Sequence, residues 1–390
     1  MKRIEFLYGF ILILALQESL HAQSFEDEKP SKISFNGYLK DLHSVSFENL
    51  DGEWLQDNFI HNRLNFKWYA SDALTFTVEN RNRLFYGETV KTIPNYDELI
   101  DADEGFFDLS TIVFSDSSYF LHSTLDRAYV DWSKGNWQVR LGRQRINWGQ
   151  AFVWNPNDIF NTYSFFDFDY EERPGSDALL VRYYTGAVSS VEFVFSPARE
   201  FGESSYASMY KTNAGGYDFQ LLAGKMKDDV VLGGGWAGQI KSAGFKGELS
   251  YFIPEDQPFE GMGTLVASTS IDYTFANSLF LHGEMLYNSN GASGKPGMID
   301  FNQNLTPKTL SATKFSFFGE AQYEITPLIK AGLSGIASPN DGSYFLGPTV
   351  DFSLTENLYF LLVAQVFGGS EDSSYGSGGT FVFTRLKWNF

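Results

Sequence analysis

Ile60-His61-Asn62-Arg63-Leu64-Asn65-Phe66-Lys67-Trp68-Tyr69 and, after Ser71-Asp72, Leu74-Thr75-Phe76-Thr77-Val78-Glu79 decide the fold. Ile60, Leu64, Phe66 and Trp68 share one parity, with Asn62 among them; His61, Arg63, Asn65 and Lys67 take the other. Leu74, Phe76 and Val78 then oppose Thr75, Thr77, Glu79, Arg81 and Arg83. A period of two with one apolar and one charged face is the signature of a β-hairpin.

The pattern recurs along the chain. Ala128, Val130 and Trp132 oppose Arg127, Tyr129 and Asp131; a Ser133–Asn136 turn leads to Trp137, Val139 and Leu141 opposing Gln138 and Arg140. Later segments follow suit: Leu265 to Tyr273, Leu279 to Tyr287 and Phe315 to Tyr323. Segments of about 9–12 residues match tilted membrane strands, whereas strands of soluble proteins average about 5–6. Connections alternate between short (Ser71-Asp72, Thr326-Pro327, Glu356-Asn357) and long (86–121, 148–176, 290–312). Together these features predict an all-β fold, a transmembrane antiparallel β-barrel. Orientations read from the two ends clash between residues 198 and 243 unless Ser204–Lys211 is a strand. Accepting it gives about 18 strands; rejecting it and merging a nearby pair gives 16.

The composition agrees. The 390 residues are 43% apolar and 17% aromatic, with 36 Gly, 38 Phe and 21 Tyr, which suits strands and tight turns. A net charge of −19 disfavours nucleic acid. With no cysteine there is no disulfide, no zinc–thiolate centre and no thiol nucleophile. Lys2 and Arg3, the apolar run Phe6 to Leu16, and a cut after Ala22 read as a secretory signal over 1–22, although Leu20 is large for its place. Residues 23–32 read as a short periplasmic tether, and 33–390 as the barrel. The final segment carries Val382, Leu386, Trp388 and Phe390 on one face and Arg385 and Lys387 on the other. Trp388 and Phe390 resemble the C-terminal assembly signal of Gram-negative outer-membrane barrels. The resemblance implies location in the outer membrane of a Gram-negative bacterium and handling by the barrel-assembly machinery.

The chemistry-bearing constellation is basic. Arg63, Lys67, Arg81, Arg83, Arg127, Arg140 and Arg182 share the lumen-facing parity, opposed on those strands by Glu79 and Asp131. A cation facing lipid at mid-depth costs ~2–4 kcal/mol, so these side chains belong inside. The loop 148–176 holds Asp158, Asp167, Asp169, Glu171 and Glu172, and nine aromatics that include Trp148 and Trp154. So many aromatics predict a third long loop folded into the lumen. A basic wall facing an acidic, aromatic loop would form a constriction that selects small hydrophilic solutes. Two other readings compete: the arginines pair with the loop acids and brace a plugged barrel, or the aromatics stack saccharides. The acids of 86–121 read as a solvated surface, with no EF-hand spacing.

The block Gly142-Arg143-Gln144-Arg145-Ile146-Asn147-Trp148-Gly149-Gln150, followed by Trp154-Asn155-Pro156-Asn157-Asp158-Ile159-Phe160, resembles one found in Gram-negative porin-like barrel families, broadly the alginate-export and substrate-specific porin groups. The resemblance implies a passive channel with an inward third loop. A polysaccharide-export barrel is the alternative, and a plugged barrel acting as an outer-membrane enzyme or adhesin the second. Enzyme chemistry is not expected: His43, His61, His122 and His282 sit in no recognisable nucleophile pattern, and no phosphate-cradling loop occurs. No cofactor and no metal site is expected. The partners expected are outer-membrane lipid and small hydrophilic solutes or saccharides. Monomer and trimer both remain open.

Overall fold

In hydrocarbon every backbone N–H and C=O must find an internal partner, so a strand-built spanning sheet has to close on itself. A computed structural model describes residues 31–256, 263–296 and 305–390 and shows that closure. The signal expected over 1–22 lies outside the described residues, as does all of the tether except Ser31 and Lys32. The described strands are β1 (Ile33–Phe47), β2 (Trp54–Ser71), β3 (Leu74–Gly87), β4 (Ser110–Asp116), β5 (Tyr119–Lys134), β6 (Trp137–Gln144), β7 (Ser176–Tyr184), β8 (Ser190–Ser196), β9 (Ser205–Ala214) and β10 (Tyr217–Met226). They continue as β11 (Asp229–Ile240), β12 (Ala243–Pro254), β13 (Thr264–Thr274), β14 (Phe280–Asn288), β15 (Phe315–Thr326), β16 (Ile329–Ser338), β17 (Ser343–Ser353), β18 (Leu358–Gly368) and β19 (Thr380–Asn389).

All named pairings are antiparallel, and β19 returns to β1. Of the nineteen strands, β4 pairs only with β5 and stands outside the ring, which leaves an 18-stranded barrel. The strand expected at Ser204–Lys211 is β9; it turns at Gly215-Gly216, both at positive φ, and pairs Ala214 with Tyr217. The sixteen-strand count is therefore set aside. Two other expectations change. Several strands exceed twelve residues, β2 running to 18. The long connection 86–121 is partly regular: two short helical turns, Glu88–Thr92 and Tyr96–Ile100, precede β4, which lines the edge of β5 above β6.

One irregularity matters for the lumen. Glu79 pairs with Arg127 but its neighbour Asn80 pairs with Leu125, so Asp126 is the extra residue of a β-bulge. The bulge shifts the side-chain alternation by one and turns Asp126 inward beside Arg127. A strict period of two had placed only Glu79 and Asp131 among the wall arginines.

The lumen face is not uniformly charged either. Near the long-loop ends, Val194, Val231, Phe252, Val266 and Leu286 point inward and are fully buried. They form one apolar cluster with Ile146, Trp148, Val153, Trp154 and Ile159 of the segment 145–175.

The seam is tight. Gly37 and Phe390 exchange backbone hydrogen bonds of 2.9 and 3.0 Å, and a Cβ on Gly37 would lie 2.1 Å from the Arg63 carbonyl oxygen. Gly37→Val is expected to destabilise the folded barrel by about 1–3 kcal/mol, the usual cost of overpacking, read as a lower urea midpoint with an unchanged slope.

Candidate functional site

The segment 145–175 has no strand of its own, yet much of it is buried. Its backbone N–H groups would be unsatisfied away from water, so wall carboxylates take them. Glu248 on β12 accepts from the N–H groups of Gln150, Ala151 (2.8 Å) and Asn157 (3.0 Å). Glu284 on β14 accepts from Val153 (3.2 Å) and Trp154 (2.7 Å). Glu192 on β8 accepts from the indole of Trp148 and pairs with Arg182. Gly233-Gly234-Gly235 of β11 makes room: Asn157 donates to the Gly234 carbonyl at 2.9 Å, and a Cβ on Gly233 would meet the Asn157 Oδ1 at 2.9 Å.

The segment then follows the inner wall. Phe165 and Phe166 pack edge-on against Phe318 and Phe345 at ring separations of 5.0 and 5.1 Å, and Gln365 donates to the Phe166 carbonyl at 2.9 Å. Phe168 meets Phe383 at 4.9 Å. Asp169 is held by Lys40 (3.0 Å), His61 (3.2 Å) and Arg385 (3.4 Å). Burial pushes its carboxyl up, but the His61 hydrogen bond and the Lys40 charge outweigh burial and hold it well below the usual range. Glu171 meets Lys387 at 2.7 Å and Arg385 at 3.0 Å; Glu172 accepts from Tyr38 at 3.1 Å. Tyr170 stacks under Arg81 at 3.9 Å and donates to Asp126 at 2.5 Å.

The expected wall residues fall into three groups. Arg63, Arg140 and Arg182 are matched with acids. Arg63 pairs with Asp126 and, at 2.6 Å, with Glu79, and lies 3.8 Å from Glu172. Arg140 pairs with Asp131 at 2.7 Å and Arg182 with Glu192. Arg127 donates to the carbonyls of Glu172 and Arg173 at 2.9 and 2.7 Å. Among the described residues Lys67, Arg81 and Arg83 make no ion pair. Arg81 and Arg83 line a cavity of about 530 Å³ with His122, Asp126, Arg143 and Tyr170. Among the described residues the Nε atoms of both are buried without a hydrogen-bond partner, and Arg83 meets His122 at 3.0 Å.

The loop residues also divide. Asp169, Glu171 and Glu172 dock on the wall; Asp167 is exposed. Asp158 is buried within the segment against Arg145 at 3.2 Å, and burial pushes its carboxyl up to about 7 despite that partner. Trp148 and Trp154 are 1% and 4% exposed, which leaves no face on which a sugar could stack. Trp388 and Phe390 lie together at the seam, 5.2 Å between rings. Arg143, at the end of β6, is buried beside the same cavity, where Asp177 (2.8 Å) and Asp103 (2.6 Å) hold it. The 86–121 acids are thus partly docked, as Asp101 also meets His122 at 3.0 Å.

The sequence reading missed Asp126, the anchors Glu192, Glu248 and Glu284, and the seam cation Lys40, and gave Arg385 and Lys387 a face but no partner. A signal existed for Glu248 and Glu284, lone acids on strands otherwise rich in Gly, Ser and apolar residues. Among the described residues no cluster suited to a metal ion occurs.

No protein-family profile and no curated protein sequence matches the chain. Solved structures do. OccAB4 of Acinetobacter baumannii is similar over 94% of this chain and 99% of its own, at 9% identity and a TM-score of 0.57. OccD3 (OpdP) of Pseudomonas aeruginosa covers 91% of both chains at 11% identity and 0.53. OmpF of Salmonella typhi, solved with daunomycin, covers 92% and 97% at 11% identity and 0.50. At such identities the likeness is one of fold, that of outer-membrane porins; the alginate-export part of the sequence resemblance gains no support from it.

Two outcomes are expected of the anchored segment. Glu248→Ala strands three N–H groups at about 1–3 kcal/mol each, so amide protection over 148–157 should fall sharply in hydrogen exchange while the strands stay protected. For Asp158 the folded value lies above the ordinary 3.8, so the docked segment holds a proton that the undocked one releases. Docking therefore weakens as pH rises from about 4 to about 8. Asp158→Asn should flatten that dependence in exchange rates corrected for intrinsic pH effects.

Proposed function

We propose that the protein is an outer-membrane channel for the passive passage of small hydrophilic solutes, with anions favoured. The observation that carries this reading is the cavity beside the inner segment, into which Arg81 and Arg83 present guanidinium groups with, among the described residues, no carboxylate within ion-pair distance. Elsewhere on the basic wall Glu79, Asp126, Asp131 and Glu192 neutralise their partners. The positive potential is then concentrated at Arg81 and Arg83, with Lys67 lower on the same face. A solute anion would exchange water for these donors as it passes the narrowed section. The fold shared with outer-membrane porins supports the channel reading and the cellular location. Residues 1–22 would direct export, and Trp388 and Phe390 would be read by the assembly machinery.

One observation favours a second reading, a closed barrel: Glu192, Glu248 and Glu284 pin the inner segment along much of its course. Planar-bilayer recordings separate the two. Steady conductance steps with a reversal potential on the anion side are expected in a salt gradient. Replacing Arg81 and Arg83 together by Ala should lower relative anion permeability by roughly fivefold, the equivalent of about 1 kcal/mol at the site. Arg140→Ala should change it less. A folded barrel with no conductance would favour the closed reading, and cation preference would transfer control to the acidic loops.

A further inference from the structure

The rim of the barrel is not level. Beyond Ala128, whose partner is Arg143 of β6, β5 runs on to Tyr119 with β4 along its edge. On its other side β4 pairs with no strand among the described residues. There β6 ends at Gln144, opposite Ser176 where β7 begins, and β8 ends at Ser196, opposite Ser205 of β9. The wall therefore steps down from β4 to β7 and β8.

The step lies at lipid depth. Tyr86 and Tyr119 pair at the long-loop ends of β3 and β5 and mark the outer interface. Phe114 of β4 pairs with Leu121, nearer the membrane centre than that tyrosine pair. Around the step Phe107, Val113 and Phe201 are 58%, 55% and 80% exposed. Large apolar side chains bared together at a rim suit contact with a membrane. The segment 103–107 forms the lip. Arg199 donates to the carbonyls of Asp103 (2.9 Å) and Gly105 (3.2 Å), and Arg143 to that of Phe107 (2.7 Å).

The cavity that holds Arg81 and Arg83 reaches this step. Its lining runs from the two arginines past Asp177 to Ser196, Pro197 and Ser205. Ile100, Phe106, Ile159, Phe160 and Met226 make much of the remainder apolar. One end is thus cationic, and the other meets bared aromatic side chains at the depth of the outer leaflet.

Those two ends select the occupant. Arg81 is 8% exposed, and among the described residues its Nε has no hydrogen-bond partner. A guanidinium so placed favours an anion. The apolar path to the step favours a hydrocarbon chain on that anion. The volume, about 530 Å³, is that of a small-molecule site. We infer that the cavity takes single-chain amphiphiles with an anionic head from the outer leaflet, through the step between β4 and β7. The head rests at Arg81 and Arg83, and the chain lies along Phe160, Phe106 and Met226. The inference rests on the anion preference proposed for the two arginines, and adds to it a second class of ligand and a sideways entrance.

The test is photo-cross-linking in vesicles. Laurate carrying a diazirine near its chain end would be supplied in the bilayer to the refolded barrel, and the labelled residues mapped by mass spectrometry. Unlabelled laurate, 1-dodecanol (the chain without the charge) and acetate (the head without the chain) would compete. Label is expected within 100–107, 159–160 and 197–205, with dodecanol and acetate roughly tenfold weaker competitors than laurate. Arg81→Gln with Arg83→Gln should lower that labelling by roughly tenfold, with folding checked by the mobility difference between unheated and heated samples in SDS. If that variant does not fold, the competitors on the wild type decide. Phe107→Asp with Phe201→Asp puts charge at the step and should slow labelling. Label spread evenly round the outward face, or dodecanol competing as well as laurate, would overturn the inference. So would undiminished label in the folded arginine variant, and an unchanged labelling rate in the step variant would overturn the sideways entrance. Labelling needs no current, so a silent barrel that takes laurate would sink the channel reading and leave this one standing.

Discussion

Everything in this protein follows from the need to pair backbone polar groups where water is absent. That need closes the sheet between β1 and β19. Closure in turn gives the chain an inside and an outside, and a period of two then assigns each residue to one of them. Cations that would be costly against lipid collect on the inner face of β2 to β7.

The same rule operates a second time, inside the barrel. The segment 145–175 enters the lumen without a ladder of its own, so its N–H groups would be costly if left alone. Glu248 and Glu284 receive a run of them, Glu192 takes the Trp148 indole, and the triple glycine of β11 lets the segment approach the wall. Its aromatics then pack on the buried inner residues near the long-loop ends. The acids of the segment are divided between anchoring and compensation. Asp169 and Glu171 bind the seam cations Lys40, Arg385 and Lys387, not the arginines of β3. Among the described residues Arg81 and Arg83, like Lys67 and Arg127, make no ion pair.

The sequence by itself determined the barrel. Alternation at Ile60–Tyr69 and its repeats set the strand direction of each segment, and the orientation clash near residue 200 pointed to β9 and eighteen strands while leaving sixteen open, a choice the closed sheet then made. It also determined that Arg63, Lys67, Arg81 and Arg83 face inward, because a period of two leaves no other choice on a regular strand. The tertiary structure decided which of those charges are compensated. Asp126 reaches Arg63 only because a bulge shifts the alternation by one, and a bulge depends on the partner strand's register. Glu248 and Glu284 are separated from residues 150–157 by about a hundred positions or more, so nothing in their local sequence names the N–H groups they accept. Local periodicity fixes which way a side chain points, but the partner it meets depends on where distant segments are brought, and closure of the sheet decides that.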